Sequence, residues 1–91
     1  MTADSIDRRQ AIEEFVTAMI ATACHVDRAL LNSETSMRDV DLDSLNLISI
    51  ATQVAMMYEV EVTADDTLDL VQAPCLGDLI KVIEAIASRN P

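Results

Sequence analysis

Three segments of this chain space their apolar residues as one helical face does, and no segment of useful length alternates them as a strand would. From Asp7 to about His25 the apolar positions are Ile12, Phe15, Val16, Met19, Ile20 and Ala23. Between Ser44 and about Glu59 the stripe is Leu47, Ile50, Ala51, Val54 and Tyr58. From about Leu76 to Ser88 it is Leu76, Leu79, Ile80, Ile83, Ile86 and Ala87. Helices striped in this way must bury their apolar faces against one another, which predicts an all-α bundle.

The ends of these segments are marked by chemistry. Asp7 with Gln10 reads as a capping box at the first start, and Asp43 as the N-cap of the second helix. Thr63, with Asp66 three residues on, predicts a short third helix reaching about Val71. Pro74 ends it, because the residue before a proline avoids the helical region. The expected architecture is therefore four helices, three long and one short. At 91 residues it forms one domain with its core over about 8–89, and residues 1–6 and 90–91 are expected to fray.

Residues 26–43 are polar and lie between the first two helices, with Leu30, Leu31, Met37, Val40 and Leu42 as expected apolar anchors. An ordered loop of this length in a compact domain usually has a function.

Composition narrows what that function is. Six basic residues stand against 16 acidic ones, a formal net charge of −10, which excludes a basic nucleic-acid footprint or a polybasic membrane patch. Such acidity serves solubility and suits basic protein partners. The start has no apolar stretch behind a basic region, so no secretory leader is expected, and no run approaches a membrane span. Cys24 and Cys75 lack CxxC spacing or a supporting His cluster, and read as reduced, core-filling residues of a cytoplasmic protein. One glycine, Gly77, leaves no phosphate-cradling glycine loop. Nothing demands an oligomer, so a monomer is expected.

Residues 39–50, DVDLDSLNLISI, concentrate the chemistry. As a calcium loop, Asp39, Asp41 and Asp43 fill positions 1, 3 and 5. Ser44 stands where the turn needs glycine, and Ile50 where a bidentate Glu must ligate, so a regulatory calcium site is not expected. As a hydrolase nucleophile, Ser44 has no GxSxG turn, and His25 is the chain's single histidine. What remains is a serine exposed on the first turn of a helix. There its hydroxyl is open to another enzyme, and the helix terminus favours an attached phosphate.

Asp43-Ser44-Leu45 at the opening of the second of four helices resembles the acyl carrier protein family. So do the approach Met37-Arg38-Asp39-Val40 and the stretch Ala73-Pro74-Cys75-Leu76-Gly77-Asp78-Leu79 leading into the last helix. The resemblance covers about residues 8–89. It implies a carrier that is not itself an enzyme, with 4′-phosphopantetheine attached to Ser44 by a phosphopantetheinyl transferase. The arm's thiol then holds acyl groups as thioesters for an acyltransferase or acyl-activating ligase, a ketosynthase and tailoring enzymes.

Two departures from the family pattern stand out. Asp41 occupies a place commonly held by glycine, adding charge and stiffness to the turn. The second helix from Leu45 to Tyr58 contains no acid, with Asn46, Ser49, Ala55 and Met56 where the family usually has them. The expected docking surface is thus apolar along Leu45, Ile48, Thr52, Ala55 and Met56, with Asp43 and the neighbouring acids as its rim. This pattern favours a discrete acyl carrier of a specialised, polyketide-like or fatty-acid-like pathway. An aminoacyl or peptidyl carrier with the same arm is the nearest alternative, and an unmodified helical interaction module is the next.

Overall fold

The computed structural model describes residues 2–40 and 42–89, with side chains from residue 8 onward. Four helices follow in order: α1 (Thr2–Cys24), α2 (Ser44–Met57), α3 (Ala64–Gln72) and α4 (Leu76–Ala87). Among the described residues there is no strand, and the chain is a small all-α bundle. No helix among them is long and apolar enough to cross a membrane.

The core forms where the stripes meet. From α1 come Ile12, Val16 and Ile20, from α2 Leu47, Ile50, Ala51 and Val54, and from α3 Leu70. Every position expected to face inward on α4 is buried: Leu76, Leu79, Ile80, Ile83, Ile86 and Ala87. Both α2 and α4 pack on all three other helices, so they form the spine of the bundle. Truncating a fully buried side chain such as Ile83 to alanine should cost about 2–5 kcal/mol.

Three expectations for this part of the chain need correction. Helix α1 starts at Thr2, so Asp7 lies within the helix and is not its N-cap. Met1 and residues 90–91 lie outside the described residues. Ala23 is exposed and Ala21 is buried instead, because the chain turns back at the end of α1. There the Val26 N–H donates to the Ala21 carbonyl at 3.0 Å, folding the chain over Ala21. Leu30 is 72% exposed and anchors nothing. It sits in a single 3₁₀ turn, Arg28–Leu30, and the neighbouring Leu31 packs against the core in its place.

Helix α2 stops at Met57, two residues short of expectation, because Glu59 adopts a left-handed φ of 57°. His25 does the same after α1, also at 57°. In both turns the N–H just after the left-handed residue reaches back five residues, from Val60 to Ala55 at 2.9 Å and from Val26 to Ala21. Glycine usually takes this helix-ending position, since a side chain there is strained.

Helix α3 begins as its sequence predicts. The Thr63 side chain accepts from the Asp66 N–H at 3.1 Å, and the Asp66 carboxylate accepts from the Thr63 N–H at 2.8 Å. Asp66 is the buried charged residue of the described chain, and Arg89, just past α4, reaches it with both guanidinium nitrogens. That pair ties the end of α4 to the start of α3.

The long loop is held by short-range turns and by three longer bonds. Asp27, Asn32, Thr35 and Ser36 each accept from a backbone N–H within three residues, which satisfies the loop locally. The Met37 N–H donates to Pro74 O at 3.0 Å, Leu76 N–H to Thr35 O at 2.8 Å, and Gly77 N–H to Ser33 O at 2.9 Å. Gly77 permits this approach, because a Cβ there would lie 2.9 Å from Ser33 O and 3.0 Å from Ser33 Cβ. Met37, Val40 and Leu42 then pack against the core, and the loop delivers the chain to α2 in a fixed place.

Candidate functional site

Ser44 is the first residue of α2 and is exposed. Its position follows from Asp43, whose extended backbone and side chain cap the helix. Asp43 Oδ1 accepts from the Asn46 N–H at 2.9 Å. The amides of the first turn have no partner within the helix and present partial positive charge beside the Ser44 hydroxyl.

Ser44 stands on the lip of a cleft of about 620 Å³ between the end of the long loop and the end of α3. Met37, Leu42 and Leu47 form its apolar floor, and Val71 to Pro74 its far wall. Ser36, Arg38 and Gln72 contribute polar groups. This volume lies within the roughly 300–1,000 Å³ typical of small-molecule sites. No histidine lines it, so the cleft offers Ser44 no imidazole to take its proton.

The expected docking residues are not all on one surface. Leu45 is 76% and Met56 72% exposed. Thr52 is exposed, with its hydroxyl donating to Ile48 O at 2.7 Å, and Ile48 is half-buried. Ala55 does not belong to this surface: it is 2% exposed and part of the core. It lies only about 40° around the helix from the buried Ala51, and the turn through Glu59 folds Val60 back over it. Met57, adjacent to Met56, is exposed as well, so neither methionine packs down on the loop. Asp41 lies outside the described residues.

Some features escaped the sequence reading. Leu68 and Val71 are exposed apolar residues of α3, and Val71 and Gln72 line the cleft. Arg38, in the approach Met37-Arg38-Asp39-Val40, shares that cleft with Ser44. Periodicity assigns a face within one helix and carries no information about which loop faces it.

Cys24 and Cys75 are both half-buried. Cys24 packs on the core, and the Cys75 thiol donates to Asp78 Oδ2 at 3.4 Å beside the last helix. Neither lines the Ser44 cleft.

A helical bundle that offers a capped, exposed serine beside an open cleft, with no imidazole at hand, has the form of a small carrier, which other enzymes load and unload. The comparison with known families agrees: the chain belongs to the phosphopantetheine attachment site family, matching it over residues 14–83. It is a phosphopantetheine-carrying protein, and its family carries that group covalently. Such carriers work with a phosphopantetheinyl transferase and with biosynthetic enzymes. A comparison with curated proteins finds no match.

The residues present fit this group. A phosphodiester on Ser44 would meet the amides at the start of α2, and the adjoining cleft offers both apolar and hydrogen-bonding surface to the arm.

Proposed function

We infer that Ser44 is the attachment point and that the protein is an acyl carrier serving a specialised, polyketide-like or fatty-acid-like pathway. The observation that carries the first part is the location of Ser44, exposed on the first turn of α2 behind a capping aspartate. When bound, the group supplies a thiol that holds an acyl chain as a thioester. The protein's own part is to present the serine, favour negative charge there and dock its partners. Docking raises the local concentration of the tethered cargo at the partner's active site.

The chain itself catalyses nothing on this reading, and it works in the cytoplasm. The docking surface runs along the exposed side of α2 through Leu45, Ile48, Thr52 and Met56, about 17 Å from end to end at 1.5 Å per residue. Asp39 and Asp43 before the helix, with Glu59 and Glu61 after it, form an acidic rim suited to basic partner surfaces. The lack of acid within α2 supports a specialised partner set. An acyltransferase or acyl-activating ligase, a ketosynthase and tailoring enzymes are the partners that such cargo requires.

Intact mass after incubation with coenzyme A and a broad-specificity transferase tests the attachment. A gain of one phosphopantetheine, lost in Ser44→Ala, is the expected result. No gain on folded protein with several transferases would overturn it. Loading by an adenylating amino-acid ligase would instead identify an aminoacyl carrier.

A further inference from the structure

The cleft beside Ser44 contains one of the chain's six basic residues, Arg38. The other five are placed elsewhere. Arg89 pairs with Asp66, Arg9 lies 3.5 Å from Glu84, and Arg8 stacks over the Tyr58 ring. Arg28 and Lys81 line other hollows on the surface. Arg38 is exposed and forms no ion pair among the described residues.

Its backbone is held in place. The Arg38 N–H donates to Ser36 Oγ at 3.2 Å and the Asp39 N–H to Ser36 O at 3.0 Å, while Met37 is tied to Pro74. The guanidinium thus starts from a fixed turn on the same cleft as the serine.

A phosphodiester formed on Ser44 adds a negative charge to a chain already at −10, close in sequence to Asp39 and Asp43. The partial charge of the helix terminus, about half an elementary charge, does not balance it. A guanidinium does, with planar paired donors that match phosphate oxygens.

Building on the assignment of Ser44 as the attachment point, we propose that Arg38 is the counter-charge of the Ser44 phosphodiester and turns the attached arm into the cleft toward Val71–Ala73. Arg38 is a positioning residue in this role. It holds the phosphate end while Gln72 and Ser36 offer hydrogen bonds to the arm's amides, and Val71 offers apolar contact.

The test loads wild type, Arg38→Gln and Arg38→Lys with coenzyme A and a transferase, and follows each to completion by intact mass. Backbone amide spectra before and after loading, with the ³¹P shift, then report where the arm lies. In wild type, loading should move the amides of Val71, Gln72 and Ala73, and Arg38→Gln should reduce those shifts about threefold or more. Arg38→Lys should fall between, and about 1 M salt, with its screening length near 3 Å, should mimic Arg38→Gln in wild type. Superimposable unloaded spectra establish that the fold is retained.

Loaded Arg38→Gln with wild-type shifts at Val71–Ala73 would overturn the role of Arg38 and leave the attachment intact. Absence of any mass gain in wild type would overturn both.

Discussion

Gly77→Ala adds a single methyl group, and two opposing effects decide its outcome. Alanine is favoured over glycine within a helix by about 1 kcal/mol. Gly77 is the second residue of α4, however, where the helix is only beginning and less of that gain is realised. Against it, the new Cβ would lie 2.9 Å from Ser33 O and 3.0 Å from Ser33 Cβ. The carbonyl cannot simply retreat, because it accepts from the Gly77 N–H at 2.9 Å. Separating the two weakens that bond, worth about 1 kcal/mol, and inserting a methyl into a packed contact costs about 1–3 kcal/mol.

The net expectation is destabilisation by about 1–2 kcal/mol. Urea unfolding followed by circular dichroism should show the midpoint lowered by about 1 M for a slope in the range usual for small proteins. Amide exchange should quicken first at residues 76 and 77, whose N–H groups hold the long loop. An unchanged or raised midpoint would refute the reasoning, showing that the loop yields to the methyl group at no cost.

Acid should expose the Asp66 pair. Arg89 and the Thr63 bonds hold the Asp66 carboxyl well below the usual carboxylate range despite its burial. The stabilisation is therefore complete above about pH 4, the unfolded value, and is lost as pH falls below it. Asp66→Asn should show a smaller loss of stability than wild type in urea titrations from pH 5 down to 2, and parallel curves would count against the pair. At the two left-handed helix ends, His25→Gly and Glu59→Gly should each raise stability by about 0.5–1 kcal/mol in thermal or urea unfolding. A loss at either site would mean that its side chain contributes more than the strained backbone costs. Met56→Glu, on a residue 72% exposed, should leave unfolding unchanged while lowering turnover by a partner enzyme. Full partner activity would remove Met56 from the docking surface.

Much of this protein is decided within single segments. The stripe of α4 is buried at every expected position, and α3 starts with the Thr63–Asp66 box that its sequence predicts. Asp43 caps α2 and leaves Ser44 exposed, again from adjacent residues alone. These features are legible because helical periodicity and capping act over three or four residues.

Only the tertiary structure decides what distant segments do to one another. Ala55 and Leu30 look like surface and anchor respectively, yet the turn at Glu59 buries one and the 3₁₀ turn exposes the other. The need for glycine at position 77 appears only once Ser33 lies against it. Arg89 meets Asp66 across 23 residues, and Arg38, Ser44 and Gln72 meet at one cleft from three separate elements. Such contacts depend on how packed helices orient their connections, and that is set by the shape of the shared core.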